Sequence, residues 1–206
     1  MTDDAFVRAF QRRAGLTVDG MAGPSTYAAL DRAFPAPRAS SGLTRIIWHW
    51  TAGTNTVTQN DREHYNFVID GDGNISAGVH PPEANISTSD GAYAAHTLNC
   101  NTGAIGIGLA GMFNARERPW DAGAFPLREA QIVALIGLTA DLCRKYVIEV
   151  GPTTTLSHAE VQPTLGIAQR GKIDLIWLPG MSQPADPVAI GNVLRGRVLA
   201  HMRAGA

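Results

Sequence analysis

The spacing of apolar positions along the chain changes several times, and each change marks an element. In the first 34 residues Phe6, Val7, Phe10 and Ala14 recur at helical spacing, with Asp3 or Asp4 near the start. Tyr27, Leu30 and Phe34 form a second stripe behind Pro24, a residue suited to the first turn of a helix. The stretch 15–24 between them carries glycines and a proline that mark turns. From Leu43 onward the pattern is mixed. Residues 45–50 and 65–70 read as strands, the second with Tyr65, Phe67 and Ile69 on one face. A Gly71-Asp72-Gly73-Asn74 turn leads from it into a hairpin partner at 75–78. Residues 104–110 alternate Ile105, Ile107 and Leu109 against Gly106, Gly108 and Ala110. One face of that strand is greasy and the other nearly bare, as expected where another group approaches the backbone closely. Residues 127–146 form a long amphipathic helix on Leu135, Leu138 and Leu142, 154–161 read as a further strand, and 187–202 as a closing helix. Strands with interspersed helices predict an α/β fold: a mixed central β-sheet flanked by helices, preceded by a short helical segment.

Punctuation divides this pattern into a helical segment at 1–34, a linker at 35–42 and a larger domain at 43–206. The linker Pro35-Ala36-Pro37-Arg38-Ala39-Ser40-Ser41-Gly42 is stiffened by its prolines and loosened by Ser-Ser-Gly. Two short helices bury little surface and are marginal alone. Apolar residues make up 45% of the 206 and charged residues 17%, so a packed core is expected. A net charge of −1 argues against a broad grip on nucleic acid or an anionic membrane and leaves a neutral polymer open as partner. No apolar run reaches transmembrane length, and the opening Met1-Thr2-Asp3-Asp4 carries no basic or apolar leader, so synthesis in the cytoplasm without a signal peptide and no stable membrane insertion are expected. Cys100 and Cys143 form no CxxC pair and read as buried thiols.

Six histidines are present, and context separates them. His49 ends the apolar run Ile46-Ile47-Trp48-His49-Trp50 just before a Thr51-Ala52-Gly53 loop. His158 lies in Leu156-Ser157-His158-Ala159-Glu160-Val161, at another strand end. Two imidazoles from separate strand ends and one anionic ligand make the open three-ligand site that zinc hydrolases use, and Asp174 in Gly171-Lys172-Ile173-Asp174 is the candidate third. No HExxH helix exists, which excludes the arrangement with both histidines on one helical turn. His64, His80 and His201 carry no functional expectation. By the period of two, Glu160 shares a strand face with His158, where it could orient an imidazole or shuttle a proton, an ordinary salt bridge being the alternative. Trp120 and Trp177 lie in loop-like stretches, suited to a glycan groove or to burial.

Two resemblances add to this. Residues 7–30, with Phe10-Gln11, Gly15-Leu16, Val18-Asp19-Gly20 and Gly23-Pro24-x-Thr26, resemble the second half of the bacterial peptidoglycan-binding domain, which implies wall affinity, with a packing remnant as the alternative. The motifs Trp48-His49-Trp50-Thr51-Ala52-Gly53, His64-Tyr65-Asn66-Phe67-Val68-Ile69, His96 followed by Ile105-Gly106-Ile107, Ser157-His158-Ala159-Glu160-Val161 and Lys172-x-Asp174 resemble the type 2 N-acetylmuramoyl-L-alanine amidases. That group takes in phage amidase-lysozymes, muropeptide-recycling amidases and peptidoglycan recognition proteins, and the motifs keep its order across residues 43–180.

The resemblance implies one zinc ion held by His49, His158 and Asp174, the last standing where some relatives have cysteine. Asp174 follows His158 at a longer interval than in the recycling enzymes, so Cys100 is kept as the rival anion donor. It implies Lys172 as the group that steadies the developing oxyanion and His96 as a substrate-contacting residue. Recycling relatives carry a catalytic glutamate where this chain has Gly108, so the departure points to the phage-type variant, in which Tyr65 positions water or intermediate. Tyr65, Lys172 and Glu160 are thus the expected catalytic groups. The expected activity is zinc-dependent cleavage of the bond between N-acetylmuramic acid and L-alanine of peptidoglycan by a monomeric lytic enzyme, reaching the wall after release of the holin type. A cytosolic recycling amidase and a non-catalytic recognition module are the alternatives.

Overall fold

The computed structural model describes residues 3–33 and 41–204. The chain divides into two compact units, Met1–Ala39 and Ser40–Ala206. Residues 35–40 of the expected linker, and Phe34, lie outside the described residues.

The first unit holds α1 (Asp3–Arg13) and α2 (Pro24–Ala33). Gln11 ties the turn region between them together. Its buried amide donates to Asp19 Oδ1 at 2.7 Å, to the Met21 carbonyl at 3.1 Å and to Thr26 Oγ1 at 3.1 Å, and accepts from the Gly20 N–H at 2.9 Å. A polar knot of this kind replaces the apolar core that so few residues cannot build.

The second unit is a five-stranded sheet in the order β3-β2-β4-β1-β5. Its strands are β1 (Arg45–Trp50), β2 (Phe67–Ile69), β3 (Ile75–Ala77), β4 (Ala104–Leu109) and β5 (Thr155–Ser157). β1 lies parallel to both β4 and β5, and β2 runs parallel to β4 while pairing antiparallel with β3. The central strands are buried on both faces, as their continuous apolar stretches demand. On one face Trp48, Ile105, Ile107 and Leu109 pack in a single apolar cluster with α4 (Glu129–Tyr146) and α6 (Pro187–Ala204), which contribute Leu135, Ile132, Leu194 and Val198. Buried Trp48 also donates its Nε1–H to Thr139 Oγ1 at 3.0 Å. On the other face Ile47, Cys100, Ala104, Leu156 and Val161 form a smaller cluster, and His49 also lies on that side.

Three expectations need correction. The segment expected as one strand over 154–161 is β5 for three residues and then turns into α5 (His158–Leu165). Ser157 caps that helix, its Oγ accepting from the Glu160 N–H at 3.3 Å, while Glu160 Oε2 accepts from the Ser157 N–H at 2.8 Å. The reciprocal pair outweighs the β-branched residues upstream. Likewise Thr58 and Asp61 cap α3 (Gln59–His64), a helix the alternation did not reveal. Tyr65 therefore closes α3 and precedes β2, and it does not share a face with Phe67 and Ile69. Its ring crosses to the polar side.

Candidate metal centre

The bare face of β4 is where this polar side is built. A Cβ on Gly106 would lie 2.5 Å from His96 Cδ2, and one on Gly108 would lie 2.7 Å from Tyr65 Cδ2. Two aromatic rings thus rest directly on the strand backbone, which only glycine allows. In the parallel register His49 stands beside Gly108. Its ring centroid is 5.2 Å from Tyr65 and 5.1 Å from His96.

Pairing of β1 with β5 sets Trp48 beside Ser157, so the next residue of each chain, His49 and His158, meet although 109 positions separate them. Their Nδ1 atoms are 3.0 Å apart. Asp174 Oδ2 lies 3.4 Å from each Nδ1, brought in by an irregular turn in which the next residue, Leu175, is fully buried at φ 62°. A leucine in the left-handed region is strained, and the apolar anchor of Leu175 to Leu178 in the core holds it. Among the described residues, His49, His158 and Asp174 form a group able to hold a metal ion, and Cys100 is not part of it. Cys100 and Cys143 are buried free thiols, and burial pushes Cys143 up to about 11.

The donors fit zinc by size and chemistry. Ligands at 2.0–2.1 Å around a tetrahedral ion stand about 3.3 Å apart, and the three edges here are 3.0, 3.4 and 3.4 Å. Burial lowers the His49 pKa to about 4 against the opposing pull of Asp174, so the imidazole is neutral, as a ligand must be. Asp174 lines a cavity of about 260 Å³ together with Trp50, Met112, Asn114 and Lys172. Lys172 is exposed on its wall. Burial raises the Tyr65 phenol, with Asp174 adding to the effect, so its hydroxyl stays protonated.

Two expected site residues sit elsewhere. Glu160 is not aimed at the triangle: besides capping α5, its Oε1 accepts from Arg195 Nη2 at 2.8 Å in a fully buried pair. Arg195 continues to the Thr155 carbonyl at 2.8 Å, and Gly191 leaves the room, since a Cβ there would collide with the Glu160 carboxylate. A carboxylate committed in this way fixes the start of α5 and so the His158 backbone. This arrangement is the salt-bridge alternative for Glu160. His96, expected at the substrate, is buried behind His49, its Nδ1 3.2 Å from His49 Nε2. Its loop is pinned by Asn101 Oδ1, which accepts from the His96 and Thr97 N–H groups at 3.1 and 2.8 Å. Trp177 is buried and donates to the Met181 carbonyl at 2.7 Å, while Trp120 packs partly buried beside it. Gln169 had no motif to announce it, yet it touches His158 Nε2 at 2.9 Å.

Comparison with known proteins places the chain in a family. A family model described as N-acetylmuramoyl-L-alanine amidase matches residues 39–174, and one described as a peptidoglycan binding domain matches residues 4–30. No curated protein matches the chain. Among solved structures, the N-acetylmuramoyl-L-alanine amidase LysC from Clostridium intestinale URNW is similar at 25% identity and a TM-score of 0.41, over 65% of this chain and 80% of that one. The ectodomain complex of peptidoglycan recognition proteins LCa and LCx bound to tracheal cytotoxin is similar at 20% identity and a TM-score of 0.40, over 60% and 77%.

Proposed function

Since the chain belongs to the N-acetylmuramoyl-L-alanine amidase family and its substrate is peptidoglycan, we propose that it is a zinc-dependent amidase of the lytic, phage type, with His49, His158 and Asp174 as the ligands. The observation that carries this reading is the triangle of two Nδ1 atoms and one carboxylate oxygen, all three residues buried, with Asp174 also lining a cavity. Zinc held there supplies a Lewis acid that acidifies water and polarises an amide carbonyl. The chain's own residues do the rest. Lys172, on the wall of the same cavity, offers positive charge to the oxygen on which charge develops. Tyr65, tilted against His49 with its hydroxyl protonated, donates a hydrogen bond that positions water or the tetrahedral centre.

The lytic reading is favoured over a recycling enzyme by Gly108. The Tyr65 ring occupies the space a side chain there would need, so no acid can stand at that position without displacing the tyrosine. The lytic reading carries with it action on the cell wall after release from the cytoplasm. The decisive experiment adds pure protein, with and without a chelator, to isolated sacculi and to soluble muropeptides and follows new peptide amino termini. Chelator-sensitive release from sacculi is expected. Release from muropeptides alone would favour recycling, and no release from either would leave a recognition module.

A further inference from the structure

A neutral imidazole carries one proton, and the atoms behind the ring decide which nitrogen keeps it. Behind His158, Nε2 lies 2.9 Å from Gln169 Oε1, and the same amide donates from its Nε2 to the Leu98 carbonyl at 2.9 Å. The carbonyl only accepts, so the amide nitrogen must face it and the amide oxygen must face the ring. That oxygen also only accepts, which requires the proton on His158 Nε2. Nδ1 is then left bare, aimed at His49 Nδ1 and Asp174 Oδ2. Gln169 is 2% exposed, and its backbone N–H donates to Gln162 Oε1 at 2.9 Å, which holds the residue in place beneath that carbonyl contact. The same logic runs behind His49. The Ala104 carbonyl takes the His96 Nε2–H at 3.4 Å, so His96 Nδ1 accepts, from the Thr97 hydroxyl at 2.8 Å and from His49 Nε2–H at 3.2 Å, and the His49 Nδ1 lone pair also faces the triangle.

We propose that Gln169 is a positioning residue for the metal site: by accepting from His158 Nε2–H it locks the tautomer whose Nδ1 serves the ion, as His96 does for His49. Three lone pairs converging within 3.0 to 3.4 Å repel one another when no cation lies between them. An unsupported ring would turn away or trap a proton in the gap. Two short chains, each ending on a backbone carbonyl, prevent both. Between His158 and Gln169 the chain ends α5 in a left-handed turn at Gly166, and after Gln169 it turns again at Arg170 and Gly171 toward Asp174.

The inference rests on the zinc reading, and its test separates the two. Long-range proton–nitrogen NMR on the metal-free full chain reports which ring nitrogen of His158 is protonated, and competition with a chromophoric chelator reports the zinc dissociation constant. We expect Nε2–H in the wild type. In Gln169→Met, which conserves volume, we expect a mixture of tautomers and zinc bound about 10- to 100-fold more weakly, with the melting temperature of the metal-free protein near wild type. A wild-type His158 protonated on Nδ1 overturns the proposal, as does a folded Gln169→Met variant with wild-type zinc affinity. Should that variant fail to fold, the wild-type tautomer decides alone. A wild type that takes up no zinc defeats the metal reading, while the tautomer measurement still judges Gln169.

Discussion

Trp48 and His49 are neighbours in one strand and face opposite sides of one sheet. On the Trp48 side the strands meet two long helices across a large apolar cluster, and order there comes from close packing. On the His49 side the strand residues shrink to glycine, rings rest on bare backbone, and order comes from directed hydrogen bonds. Among the described residues no buried side-chain nitrogen or oxygen on either side is left without a partner. An apolar face gains from any atom that fills space. A polar face gains only when every donor finds its acceptor, so it can hold reactive groups still. The first face stabilises the sheet, and the second uses that stability.

Substitutions can break this contrast. The largest effect is expected from Asp174→Ala: zinc content and release of peptide from sacculi fall to background, while the metal-free protein melts near wild type and Cys100→Ala keeps its zinc. Full zinc in Asp174→Ala would overturn the ligand assignment. Trp48→Ala, on the other face, should lower unfolding free energy by about 3–5 kcal/mol in a urea titration, with zinc stoichiometry unchanged in the fraction still folded. Glu160→Gln should lower it by about 1.5–3 kcal/mol, because Arg195 loses a buried charge. Turnover per bound zinc should hold; a fall of about 100-fold or more would restore Glu160 to the chemistry. Gly108→Ala should lower it by about 1–3 kcal/mol and reduce kcat more than it raises KM, since the added methyl displaces Tyr65 from its station.

The smallest effect sharpens the electrostatics. In the metal-free protein the His49 pKa is depressed to about 4 from an ordinary 6.5, so the folded state binds fewer protons than the unfolded state. The stability tied to this group is complete above pH 6.5 and is lost as pH falls through about 4. Urea midpoints of chelated wild type between pH 7 and 4 should therefore fall more steeply than those of a folded His49→Gln variant.

Much of this was legible in the chain. The alternation over 104–110 marked both a core face and a backbone approached closely, because a strand's period of two separates its faces without reference to anything else. Motif order named His49, His158 and Asp174, which the fold brings into one triangle. Glu160 was misplaced because Ser157-x-x-Glu160, a helix-start signal present in the sequence, competed with a run that also looked like strand. Tyr65 took the opposite face because capping of α3 breaks the alternation just before β2.

The sequence by itself determined where most strands and long helices lie, which strand is bare on one side, and which residue types are offered to a metal, since these depend on local periodicity and chemistry. Only the tertiary structure decided how those side chains face one another. Gln169 lies 11 positions from His158 with no spacing to announce it, and His96 reads as a substrate contact until the sheet sets it behind His49. Tautomers are set by the partner across space, and a partner across space has no signature along the chain.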